Sequence, residues 1–230
     1  MVLAILMNGE AWPARAEPTV VLLHGLGRSP RNLQVLEWRL ESRGYRVCSV
    51  GYDTRSAGID AVVETVYPAV MNCPRGSGPL HFVTHSLGGL VLRALLAAHS
   101  PPKLGRAVLI APPNQGSQIA DRLRELGLLE VLLGPLAGQL GTRSGDLPAG
   151  LPPPPIPFGV IAGDRWINPA GPLWLPRPHD GTVSVASTRL EGMRDHLVLP
   201  YSHTFIIHAR SVADQVDTFL RSGRFDRARK

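Results

Sequence analysis

The stretch His81–Ala98, HFVTHSLGGLVLRALLAA, passes from a strand-like run into a leucine-rich helical pattern through Thr84-His85-Ser86-Leu87-Gly88-Gly89. Leu80 to Thr84 reads as a strand. Beyond the bend, Leu87, Leu90, Val91, Ala94, Leu95 and Ala98 recur along one side of a helix. A sharp strand-to-helix turn lifts a serine hydroxyl clear of the sheet. It also puts the free N–H groups and positive dipole end of the helix beside that oxygen. Gly88 and Gly89 are the small residues that let strand and helix approach.

The pattern repeats on either side of this turn. Thr19 to His24 (TVVLLH) reads as a buried strand ended by Gly25. Ser29 and Pro30 then open a helix carrying Leu33, Leu36 and Leu40, which Gly44 stops. Further strands are expected at 45–50, 107–111, 158–162 and 196–199, with helices at 59–70 and over the apolar face Val212, Val216, Phe219 and Leu220. Strands alternating with helices predict an α/β fold: a mostly parallel central sheet with helices on both faces. Sites in such sheets lie at the carboxyl ends of the strands. That is where HGLG, THSLGG, the GD of Gly163-Asp164 and His203 all fall.

One segment breaks the alternation. Residues 112–156 hold an amphipathic stretch (Ile119, Leu123, Leu126), an apolar patch through Leu128, Leu129, Val131, Leu132 and Leu133, and a return ending in LPPPPIP. The polyproline part reads as a stiff extended connection. The apolar part is either a cap over a substrate pocket, with Leu128 and Leu132 as pocket candidates, or packing at the domain edge.

The 230 residues, 44% hydrophobic and 18% charged, suit one medium globular domain, expected over 19–225 after an N-terminal extension at 1–18. The net charge of +6 is carried almost wholly by scattered arginines, with no basic stripe interleaved with aromatics, so no nucleic-acid partner is expected. No His/Asp/Glu spacing specifies a metal, and no cofactor is expected. Cys48 lies in a predicted strand and Cys73 in a loop; their spacing fits neither a metal framework nor a redox pair, and a disulfide between them stays open. MVLAILM is apolar and Ala14-Arg15-Ala16 has a small-x-small form, but the run has no basic start and ends at Asn8-Gly9-Glu10. A cytoplasmic location is expected, with export as the alternative if residues 1–16 act as a signal.

The motifs His24-Gly25-Leu26-Gly27, Thr84 to Gly89, Pro112 to Ser117, Asp180-Gly181-Thr182-Val183 and Ser202-His203-Thr204-Phe205 together resemble the α/β-hydrolase family, especially small bacterial lipases and esterases. The family's Gly-x-Ser-x-Gly pattern is met with Thr84 in its first position. The resemblance implies Ser86 as nucleophile, His203 as base and Asp180 as acid, in the chain order Ser, Asp, His. It further implies an oxyanion hole from the backbone amides of Leu26 and Leu87, with His24 organising that loop. Asp164, directly after the fifth strand, is the rival acid; otherwise it ties down its loop. His85 is expected to shape the pocket. The implied activity is hydrolysis of a small-molecule or lipid ester through an acyl-enzyme, with transient contact to a membrane surface in the lipid case. Thioesterase, amidase or acyltransferase chemistry on the same residues, or a non-catalytic binding role, are the alternatives. The oligomeric state is not legible.

Overall fold

The computed structural model describes residues 17–55, 58–128, 133–167 and 171–228. Six strands, β1 (Thr19–Leu23), β2 (Arg46–Val50), β3 (Leu80–His85), β4 (Leu104–Ile110), β5 (Phe158–Gly163) and β6 (Asp195–Leu199), form one sheet in the order β2-β1-β3-β4-β5-β6. Every neighbouring pair is parallel. The helices are α1 (Gln34–Glu41), α2 (Ile59–Asn72), α3 (Leu87–Ala98), α4 (Gln118–Glu125), α5 (Pro135–Gly138), α6 (Leu147–Gly150), α7 (Gly171–Trp174) and α8 (Arg210–Ser222).

The uniform apolar character of β1 follows from burial on both faces. Val21 and Leu23 pack with α2 and α3 in one core cluster, whereas Val20 and Leu22 pack with α1 and α8 in the other. Phe82 and Val83 divide the same way on β3. The helix expected after Ser29 begins as a 3-10 turn at Pro30–Leu33 before α1, and the strand expected from 107 starts earlier, at Leu104. Residues 104–106 are only half-buried, which removes the apolar signal there. Gly223, at φ 80°, ends α8 in the left-handed conformation that glycine tolerates without a Cβ clash.

The chain order reverses at β1, with β2 on one side and β3 on the other. A crevice opens at such a switch point beyond the carboxyl ends of the strands. Close approach there depends on Gly88: a Cβ on it would lie 2.4 Å from the Leu23 carbonyl oxygen and 2.9 Å from that of His24. A Cβ on Gly89 would meet the Cβ of Pro112 at 2.9 Å. The two glycines thus let the start of α3 sit against the end of β1 and the loop after β4.

Cys48 on β2 and Cys73 at the end of α2 are joined in a disulfide, with Cα atoms 5.9 Å apart. Among the described residues no helix is long and apolar enough to cross a membrane.

Candidate active site

Ser86 sits on the bend between β3 and α3 with φ 54° and ψ −122°. For a residue with a Cβ this conformation costs on the order of 1–3 kcal/mol and persists only where the surroundings over-determine it. Here the Ser86 N–H donates to the Ile110 carbonyl at 2.9 Å, and the Gly89 N–H donates back to the Ser86 carbonyl at 2.9 Å. The bend is held from the β4 side and from inside the helix.

His203, on the loop after β6, brings its Nε2 to 2.9 Å from the Ser86 hydroxyl, and its Nδ1 lies 2.7 Å from Oδ2 of Asp180. The carboxylate can only accept, so Nδ1 carries the proton and Nε2 is left to accept from the serine. Asp180 is buried, and its other oxygen, Oδ1, accepts the backbone N–H groups of Thr182 at 2.9 Å and Val183 at 2.7 Å. Those two bonds orient the carboxylate so that Oδ2 faces the imidazole. Val183 and Val185 are buried and anchor this turn.

Asp164 makes no hydrogen bond to His203 among the described residues. Its backbone extends β5, and its carboxylate lies 3.6 Å from the neighbouring Arg165. Its Oδ1 is buried without a hydrogen-bond partner, so the side-chain bonds expected to tie down its loop are not found there.

The backbone of His203 is clamped as firmly as its ring. Its N–H donates to the Asp180 carbonyl at 3.0 Å, and its carbonyl accepts from Nε2 of His85 at 3.0 Å. His85 is buried, and burial together with the neighbouring His203 imidazole holds its ring well below the usual histidine range. It therefore stays neutral and able to donate, and it adds no positive charge beside the 203 ring.

The loop after β1 runs against the same bend. A Cβ on Gly25 would stand 3.2 Å from Cβ of Ser86. His24 stacks on Tyr52 with ring centroids 4.1 Å apart, donates from Nδ1 to the Gly25 carbonyl at 3.0 Å, and accepts the Tyr52 N–H on Nε2 at 3.4 Å. The Tyr52 hydroxyl donates to the His24 carbonyl. Buried Thr54 accepts the Gly27 N–H at 2.8 Å, fixing a residue at φ 64°. His24 organises this loop, as expected. Tyr52 and Thr54 carried no sequence signal, because they come from beyond β2 and meet the loop only in three dimensions. Leu26 and Leu87 both line the cleft at Ser86, and Leu87 opens α3, where a helix has N–H groups without intrahelical partners.

The cleft has a volume of about 220 Å³. Ile119, Ala120 and Leu123 of α4, with Leu133, Ala137 and Leu140, form its apolar wall, and His85, Arg28, Asn32, Thr182 and Thr204 also line it. The 112–156 segment thus supplies the pocket wall and, through Ala120, Leu136, Ala137 and Leu140, also joins the core. Leu128 is not in the lining: it follows the end of α4 and is 43% exposed, so the pocket leucines are Leu123, Leu133 and Leu140 instead. Leu132 lies outside the described residues.

Arg93, buried within α3, fastens the return of this segment to the fold. It donates to the carbonyls of Asn114 at 3.2 Å, Pro148 at 2.9 Å and Pro152 at 3.1 Å, and to that of Leu151. Burial lowers its guanidinium to about 10, still leaving it charged at neutral pH. An arginine on the inner side of an apolar helix gives no hint of partners more than 50 residues away, and sequence reasoning passed over it. Among the described residues no group of three or more His, Cys, Asp or Glu is placed to hold a metal ion.

The sequence signature of the alpha/beta hydrolase family matches residues 20–224, nearly the whole chain. The chain belongs to that family. Its fold is similar to that of the mature lipase BlEst2 of Bacillus licheniformis, with a TM-score of 0.66 at 20% identity over 86% of this chain and 89% of the lipase. It is also similar to a lipase-esterase related protein of Clostridium acetobutylicum, with a TM-score of 0.59 at 15% identity over 89% of this chain and 95% of that one. The phospholipase PlaB of Legionella pneumophila matches with a TM-score of 0.63 at 16% identity, over 87% of this chain but 57% of PlaB. No curated protein matches the chain by sequence. This alpha/beta hydrolase therefore shares its architecture with lipases and esterases while differing from them at most positions.

Proposed function

We propose that this hydrolase cleaves carboxylic esters through an acyl-enzyme formed on Ser86. The observation that carries the reading is the continuous chain from the Ser86 hydroxyl through both ring nitrogens of His203 to the buried carboxylate of Asp180, at 2.9 and 2.7 Å. In the first half-reaction Ser86 Oγ attacks the ester carbonyl as its proton passes to Nε2 of His203. The carbonyl oxygen gains the negative charge and is received by the amides of Leu26 and Leu87. Asp180 stabilises the imidazolium, which returns the proton to the departing alkoxide. In the second half-reaction His203 takes a proton from water, hydroxide adds to the acyl carbon, and the carboxylic acid leaves as Ser86 regains its proton. Each oxyanion donor is worth on the order of 3–4 kcal/mol in the barrier.

The wall built by Ile119, Leu123, Leu133 and Leu140 supports an apolar acyl chain as the group received beside Ser86. The Cys48–Cys73 disulfide supports the exported alternative over a cytoplasmic location, since such bonds persist in oxidising compartments. Hydrolysis of p-nitrophenyl esters of graded acyl length, alongside labelling by a fluorophosphonate, tests the reading. Turnover and covalent labelling are expected in the wild type and neither in Ser86→Ala. Labelling that persists in Ser86→Ala, or a wild type that neither labels nor turns over, would refute it.

A further inference from the structure

Among the described residues, the cleft around Ser86 is lined by one ionisable side chain besides the two histidines, Arg28, and by no aspartate or glutamate. Arg28 lies on the loop that follows β1, two residues past Leu26. It makes no ion pair and no side-chain hydrogen bond among the described residues. Most of the other arginines of this fold are employed: Arg93 on carbonyls, Arg124 on Asp146, Arg221 on Asp217 and Arg227 on Asp195. An unpaired guanidinium at the edge of a concave, largely apolar cleft presents five donors and a full charge to whatever enters. Asn32, also in the lining, adds a neutral polar group on the same rim.

His203 returns its proton to the leaving oxygen, so the alcohol part of an ester departs beside His203. The apolar residues of α4 and α5 receive the acyl chain, and the remaining side chains of the lining are largely polar, among them Arg28, Asn32, Thr182 and Thr204. Thr204 directly follows His203 and Thr182 belongs to the turn that holds Asp180, so this polar lining borders the imidazole beside which the alcohol leaves.

We propose that Arg28 is a substrate-binding residue and that the preferred substrates are carboxylic esters with an apolar acyl chain and an anionic alcohol part. A sulfonate, phosphate or carboxylate on that alcohol would lie against the guanidinium while the acyl chain lies against Leu123 and Leu133. The anion could belong to a small soluble ester or to the headgroup of a lipid; the charge, not its carrier, is what the rim recognises. This rests on the ester-hydrolase reading given above.

The test compares two isosteric esters, 4-(butyryloxy)benzenesulfonate and 4-(butyryloxy)benzenesulfonamide, in wild type, Arg28→Gln and Arg28→Lys. The wild type should favour the sulfonate in kcat/KM by about 5-fold, the scale of one charge pair a few ångströms apart in a solvent-screened cleft. The ratio should fall to near one in Arg28→Gln and be largely kept in Arg28→Lys. It should also shrink in 1 M salt, where the Debye length drops to about 3 Å. Mono-4-nitrophenyl glutarate against 4-nitrophenyl valerate places the charge on the acyl side, where no gain from Arg28 is expected. Short sulfonate esters outperformed by an anionic lysolipid, with both gains lost in Arg28→Gln, would identify a lipid as the carrier. Binding of 4-hydroxybenzenesulfonate and its sulfonamide to Ser86→Ala, followed by NMR titration, reads the same preference without turnover. Failure of hydrolysis alone then counts against the ester reading, whereas an equal affinity for the two phenols, or a preference untouched by Arg28→Gln, overturns the role of Arg28.

Discussion

Replacing Asp180 by asparagine changes one atom, and the surroundings dictate where that atom goes. The Oδ1 position accepts two backbone N–H groups, from Thr182 and Val183, and an amide nitrogen placed there would face two donors. The NH2 group is therefore driven to the Oδ2 position, 2.7 Å from Nδ1 of His203. A donor now faces Nδ1, which must accept, and the ring proton moves to Nε2. Nε2 can then only donate towards Ser86 Oγ, so the general base is lost although every heavy atom stays in place. The expected fall in kcat is about 10⁴-fold, the loss known for a wrong-tautomer triad, equivalent to about 5 kcal/mol in the barrier. Asp164→Asn weakens only the pair with Arg165 at 3.6 Å and leaves the bond between Asp180 and His203 in place, so it should alter kcat by less than about 2-fold. Both variants would be assayed on p-nitrophenyl butyrate, with thermal unfolding as the check that each is folded. A folded Asp180→Asn retaining a tenth or more of wild-type turnover would overturn the assignment of the acid, and a collapse in Asp164→Asn would relocate it.

Two further outcomes follow from groups remote from Ser86. Removing the Cys48–Cys73 bond by the double change Cys48→Ala and Cys73→Ala releases a loop with a sequence separation of 25 and should lower stability by about 3 kcal/mol; an unchanged urea midpoint would contradict this. His81 is buried and its imidazole is lowered by that burial to about 4, while its Nδ1 accepts the Arg106 N–H at 2.8 Å. In the unfolded chain the ring takes its proton near pH 6.5, in the fold only near 4, so between these values the unfolded state binds more protons. Its contribution is complete above pH 6.5 and disappears as the pH falls towards 4, by about 3 kcal/mol at most. Urea unfolding at pH 7.5, 6.0, 5.0 and 4.5 should show that decline, and a flat profile for wild type would refute it.

Much of the architecture was legible in the linear chain because its signals are local. The runs at Thr19–Leu23, Leu80–His85 and Phe158–Gly163 are buried at every position and mostly apolar because helices cover both faces of the sheet, and that pressure acts on each residue separately. The serine bend was legible for the same reason. Gly88 is required by carbonyls of β1, yet its trace in the sequence is simply a small residue beside Ser86. Where burial was incomplete, as at residues 104–106, the strand start was misjudged.

The chain by itself determined the sheet, the serine turn and the order in which a serine, an acid and a histidine follow one another. The Asp-Gly-Thr-Val setting already favoured Asp180 over Asp164, but only tertiary structure shows the Asp180 carboxylate hydrogen-bonded to His203, because that contact depends on where distant parts of the chain come together. It also decided that His85 grips the His203 carbonyl, that Thr54 holds Gly27, that Arg93 gathers the carbonyls of a distant return, and that Cys48 meets Cys73. The physical reason is one of range. Burial and backbone sterics act on neighbours along the chain and leave a periodic record, whereas a hydrogen bond between residues dozens of positions apart depends on where loops come together and leaves none.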